Sequence, residues 1–215
     1  MTTDNPARER ILERIRTGLR VPVPEPPVAP IGAIFQPVEN PLERFQEEAK
    51  ANLMECLTAS DVSSSTQQLK NVLDSLPDGE IYVQDEPSLR RMITSTGDSR
   101  PVRWSSQGAP RESSQATVTL VEALVAQTGS LFVTAACGGR GASVVAPVHI
   151  AVASASQIVP DLQTALGNAS QQGKLQQNSF ACLISGSSRT ADIEKILVQG
   201  AHGPRRLVVI LQTGA

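Results

Sequence analysis

The sequence predicts an α/β domain built on a mostly parallel sheet, and three observations carry that expectation. Short, continuously apolar runs in the carboxy-terminal half, Thr117 to Leu120, Leu131 to Thr134, Val148 to Ala153, Phe180 to Ile184 and Leu207 to Leu211, read as strands buried on both faces. Helical stretches near Asp161 to Gln172 and Ala191 to Gln199 fall between them, the alternation that covers a parallel sheet on both sides. At 215 residues and 40% apolar content, the chain can bury one such core and still carry an extension.

The extension comes first. Ile11, Leu12, Ile15 and Leu19 recur at helical spacing, with Arg8, Arg10, Arg14, Arg16 and Arg20 around them among Glu9 and Glu13. A helix this short is marginal alone, so its apolar stripe must dock on its own domain, a second copy or another protein. Its charged face is either simply solvated or clips onto a partner subunit. Pro22, Pro24, Pro26, Pro27, Pro30, Pro37 and Pro41 then rule out regular structure and favour a semi-rigid connector. The expected organisation is a helix over 1–20, a proline-rich linker over 21–41 and an α/β domain over 42–215.

Within that domain, a helix from Leu42 to Asn52 leads to an apolar run at Met54 to Leu57. A second helix, Gln67 to Leu76, is closed by Pro77-Asp78-Gly79 and followed by a strand at Ile81 to Val83. Residues 94–115 are rich in Ser, Gly, Arg and Pro and are expected to be an irregular surface segment around Trp104. Arg100, Arg103 and Arg111 there either line a cleft or are scattered surface charges.

Composition narrows the function. A formal charge of −2 and 3% aromatic residues argue against nucleic acid as a partner. No apolar run approaches the roughly 20 residues that cross a bilayer, and the amino terminus is polar, so a cytoplasmic protein is expected. Cys56, Cys137 and Cys182 lack CxxC spacing, which argues against a disulfide framework, a zinc site or an iron–sulfur cluster held by this chain alone. Cys56 and Cys182 sit in apolar context, and Cys137, beside a glycine run, is either buried or reactive.

Two segments could hold a ligand. Strand Phe180 to Ile184 breaks into Ser185-Gly186-Ser187-Ser188-Arg189-Thr190, ahead of Asp192 and Glu194. A strand, turn and helix of this kind offers unpaired helix amides and a guanidinium to a small anion. The alternative is a plain cap, with Ser188 or Thr190 at the helix start and the acids complementing its dipole. The other segment is Gly139-Arg140-Gly141, within the run Cys137 to Ser143. If both strands lie parallel and close, Arg140 and Arg189 face one pocket at the carboxyl edge of the sheet. By the same rule His149 and His202 sit at the opposite edge and read as structural imidazoles. No Ser-His-Asp spacing, paired carboxylate or metal-ligand cluster stands out.

Taken together, Ala126-Gln127-Thr128-Gly129-Ser130, Gly139-Arg140-Gly141 with Pro147-Val148-His149-Ile150, Ile184 to Glu194, and Gly200-Ala201-His202-Gly203-Pro204 resemble the LUD (lactate utilization) domain family. Within that family, the lactate utilization protein C subgroup is the most similar. The beginning Ala7-Arg8-Glu9-Arg10-Ile11-Leu12, followed by prolines, is similar as well. The resemblance implies a Rossmann-like three-layer sandwich of the superfamily that includes sugar-phosphate isomerases and coenzyme A transferases. It implies a bacterial protein that supports oxidation of L-lactate to pyruvate with iron–sulfur partner subunits, the clusters residing on those partners. Alternatives are an enzyme acting on a phosphorylated sugar, acyl or coenzyme A substrate, and a non-catalytic interaction module. The family usually has Glu at Gln127 and Pro at Ser187: a carboxamide cannot do the acid–base work of a carboxylate, and losing the proline loosens the arginine loop.

Overall fold

The computed structural model describes residues 6–20, 37–191, 197–199 and 203–214, with backbone alone for 189–191 and 197–199. The chain divides into two units, Met1–Gln36 and Pro37–Ala215. In the first, helix α1 spans Pro6–Leu19 and leaves Ile11, Ile15 and Leu19 exposed at 59%, 52% and 80%, with Leu12 half-buried.

The second unit opens with helix α2, Pro41–Ala51, started by the Asn40 side chain on the Glu43 amide and by Pro41 in the first turn. There follow β1 Glu55–Ala59, α3 Val62–Asp74, β2 Ile81–Val83, α4 Pro87–Thr96, β3 Val102–Trp104, β4 Ala116–Leu120, β5 Ala123–Val125 and β6 Ser130–Thr134. The chain continues through β7 Val148–Ser154, β8 Ile158–Val159, α5 Leu162–Gln171, α6 Lys174–Gln177, β9 Ala181–Ile184, β10 Arg189–Ala191, β11 Leu197–Gln199 and β12 Arg206–Gln212. Helix α4 carries faint signals of its own: Glu86 caps it, Pro87 occupies the first turn and left-handed Gly97 ends it.

The central sheet has the strand order β1-β12-β7-β4-β2-β3, parallel throughout, as the apolar runs predict. Because side chains alternate across a strand, Ile150, Val152, Val208 and Ile210 face one side, where they pack with Leu69, Val72, Leu89 and Ile93 of α3 and α4. Ala151, Ala153, Val209 and Leu211 face the other, against Phe45 and Ala49 of α2 and Leu124, Leu131 and Val133 of β5 and β6. Each fully buried large apolar side chain contributes roughly 1.5–3 kcal/mol, so these two clusters dominate the stability.

Three expectations are corrected here. Leu131–Thr134 and the run ending at Ile184 are strands, but they belong to a second sheet, order β8-β5-β6-β9, in which β6 lies antiparallel to both β5 and β9. The connection explains it: β5 and β6 are joined only by residues 126–129, closed by left-handed Gly129, whereas a parallel crossover needs about a dozen residues or more. Helices α5 and α6 cover the outer face, Ala169 and Leu175 packing with Ala123, Phe132 and Leu183. At the described ends of the helix expected over Ala191–Gln199 lie strands instead, β10 and β11 pairing antiparallel with Thr190 in register with Val198, both β-branched residues. Residues 94–115 are also more regular than expected, since β3 is an edge strand of the central sheet.

Candidate functional site

The segments that carry residues 140 and 189 leave opposite ends of one ladder. Because β6 and β9 run antiparallel, with Leu131 opposite Ile184 and Thr134 opposite Ala181, their carboxyl exits lie at opposite ends of the ladder. Arg140 leaves from one end, and its Nη2 donates to the Ser179 carbonyl just before β9 at 2.8 Å. The Ser185 segment leaves from the other, where the Ser185 and Ser130 hydroxyls share a hydrogen bond of 2.6 Å at the start of β6. The two segments are therefore taken as two separate places.

The first lies beside the carboxyl ends of β2 and β3, where parallel α/β sheets collect ligands. The loop after β6 is tied there by two bonds, one of them from a side chain that is itself anchored. Gln84 donates to the Ala136 carbonyl at 3.1 Å while accepting from the Leu120 amide at 2.8 Å. The Tyr82 hydroxyl donates to the Gly138 carbonyl at 2.6 Å. Gly138 and Gly139 have φ of 85° and 92°, a left-handed path that side chains disfavour. A Cβ on Gly141 would stand 3.1 Å from Pro110, so the glycine lets the 105–110 segment approach. Between the two segments opens a cavity of about 350 Å³, lined among others by Tyr82, Ser105, Pro110, Gly139, Arg140 and Gly141. Among the described residues lining it, Arg140 alone is charged.

The second place lies at the amino ends of β1, β7 and β12. The Asn52 amide donates to the Thr128 carbonyl at 2.8 Å, and hydroxyl contacts run from Thr128 to Ser130 at 2.7 Å and on to Ser185. Gly186, at φ 95°, packs so closely that a Cβ would sit 2.2 Å from the Asn52 carbonyl oxygen. Ser187 is buried, and the Ser188 amide donates to the Pro204 carbonyl at 2.8 Å, with Gly203 against the Ser188 side chain. The Pro147 carbonyl accepts from the amides of Arg205 and Arg206. Segments 126–130, 147–150, 184–188 and 203–204 thus converge although they are scattered along the chain. Asn52 escapes a sequence reading, because it looks like an ordinary helix end.

The remaining expected residues divide three ways. Arg189 and Thr190 lie on β10 rather than at a helix start. Asp192, Glu194 and His202 lie outside the described residues. His149 is fully buried near the start of β7, where its Nε2 shares a 2.9 Å hydrogen bond with Thr119 Oγ1 and burial pulls its pKa down to about 4. Its Nδ1, the Thr117 hydroxyl beside it in register and the Gln127 carbonyl oxygen have no partner among the described residues. Cys137 is buried, its thiol pushed up to about 11 by that burial, which favours the unreactive reading. Among the described residues, no cluster of His, Cys, Asp and Glu suits a metal ion, and no helix is long and apolar enough to cross a membrane.

Comparison with known proteins places these observations. The LUD domain family model matches residues 42–212. The chain is 41% identical over 75 residues to lactate utilization protein C 1 of Bacillus mycoides, covering 34% of this chain and 32% of that one. It is 31% identical over 105 residues to lactate utilization protein C of Deinococcus radiodurans, covering 48% and 49%. With the namesake from a Geobacillus species it shares 26% over 196 residues, covering 79% and 81%. The first two matches thus span about a third and about half of those relatives' lengths. A crystal structure of a DUF162 family protein from Deinococcus radiodurans superimposes with a TM-score of 0.57 at 17% identity, covering 80% of this chain and 95% of that one, a likeness of fold.

Proposed function

Because the chain belongs to the LUD domain family, we propose that it serves lactate utilization as a subunit without a cluster of its own. It supports the oxidation of L-lactate to pyruvate by iron–sulfur partner proteins, and it carries a site for a small carboxylate or phosphate. The observation that carries this reading is the family match across 42–212 together with relatives from separate organisms that bear the lactate utilization protein C name. Partner binding is supported by α1, whose exposed stripe of Ile11, Ile15 and Leu19 is flanked by arginines.

The test is genetic and biochemical. A strain lacking this chain is expected to lose growth on L-lactate but not on glucose, and the tagged chain is expected to bring down iron–sulfur proteins in lactate-grown cells. Normal growth of the deletion strain, with a tagged chain that stays solitary, would end the proposal.

A further inference from the structure

We infer that the seat of the small anion is the cavity between the 138–141 glycine loop and the 105–110 segment, and that its occupant is a metabolite of a few carbon atoms bearing one compact oxyanion, carboxylate or phosphate monoester. This rests on the reading that the chain carries a small-anion site, and it chooses between the two places that the antiparallel β6/β9 ladder separates.

Four observations converge on it. First, the lining offers a cation and no carboxylate: Arg140 is its one charged residue among those described, and Nη2 bonded to the Ser179 carbonyl fixes the guanidinium while its other N–H groups make no hydrogen bond within the described chain. Second, the amides of Gly138, Arg140 and Gly141 donate to no group among the described residues, although their neighbours Cys137, Gly139 and Ala142 do. Arg140 and Gly141 are successive, and successive free amides on a glycine-rich turn are a donor set that binds anions elsewhere. Third, Ser105 Oγ accepts from the Asp85 amide at 2.9 Å, which leaves its proton for a ligand. The nearby Asp85 carboxylate is engaged by Arg90 through bonds of 2.5 and 2.8 Å and by the Ser106 hydroxyl, so its charge is countered outside the cavity.

The fourth observation is size. A volume of about 350 Å³ is near the lower end of the range for ligand sites. It suits a small hydroxy acid or a short phosphate ester and falls well short of a nucleotide-bearing cofactor. The amino-edge cluster around Ser130 and Ser185 spends its hydroxyls on one another, and Arg206 at that edge already pairs with the Glu55 carboxylate.

Titration calorimetry of the full chain tests this, with inorganic phosphate and L-lactate as separate probes and sodium chloride at matched ionic strength as the control. Either probe is expected to bind, and the one that binds more tightly identifies the oxyanion. Arg140→Gln is expected to weaken binding at least 10-fold, Arg140→Lys less, and Ser105→Ala 3-fold or more, each with an unchanged melting temperature to show that the loop stays folded. Arg111→Gln removes an exposed guanidinium that pairs with Glu80 outside the lining, and it should bind as the parent does. Binding of neither probe above the chloride control, or equal losses in the Arg140 and Arg111 variants, would overturn the assignment. Failure of the functional reading looks different: if Arg140→Gln loses the anion while cells still grow on L-lactate, the site stands and its link to lactate falls.

Discussion

His149 shows how a single buried group writes a pH dependence into this molecule. Unfolded, an imidazole titrates near 6.5; folded, burial holds this one down to about 4. Protons therefore bind the unfolded chain first, so the stability contributed by the neutral ring is complete above about pH 6.5 and declines as pH falls through 6.5 towards 4. The loss approaches about 3 kcal/mol at the lower end. Urea titrations at pH 7.0 and 4.5 should show a large drop for the parent and a smaller one for His149→Gln, which carries no titrating ring. Equal drops would mean that other groups set the acid sensitivity. At this scale the sequence read His149 as structural, and its full burial and bond to Thr119 agree. It was silent about Asn52 and Ser105, because an asparagine after a helix and a serine after a strand have no meaning until another segment lies against them.

Elements depend on the few residues that join them. Gly129 closes the turn between β5 and β6 at φ 57°, and a Cβ there would stand 2.5 Å from the Ala49 amide nitrogen of α2. Gly129→Ala should therefore both strain the turn and push α2 off the second sheet, lowering the unfolding free energy by about 2 kcal/mol or more in chemical denaturation. A loss below about 0.5 kcal/mol would show that α2 yields freely. This turn is also where the element reading went astray. The apolar runs named most of the strands correctly, but a continuous run does not say which sheet it joins or which way its neighbour points. The four residues of the 126–129 connection did contain the answer for β5 and β6, since they are too few for a crossover. For β9 nothing local did, because its antiparallel partner β6 lies about fifty residues earlier in the chain. Residues Ala191 to Gln199 misled for a related reason, their spacing fitting a helix while the backbone at both ends pairs as a ladder.

For the whole molecule, the hydrophobic clusters among the described residues are built from the second unit, from Val38 onward. A chain lacking residues 1–36 is accordingly expected to melt within about 2 °C of the parent in a thermal scan, since a loss of well under 1 kcal/mol moves the midpoint of a domain this size by no more than that. The same truncation should lose co-purification with partner proteins if α1 is the docking element; a melting point many degrees lower would instead assign α1 to the fold. By itself the sequence determined the class of fold and the family, because strand hydrophobicity, helix caps and short motifs are local properties that survive reading in one dimension. Only the tertiary structure decided that the segments after β6 and β9 leave opposite ends of their ladder and that four distant motifs gather at the amino edge. Those facts follow from the direction in which strands pair, and pairing direction is fixed by contacts between segments far apart in the chain.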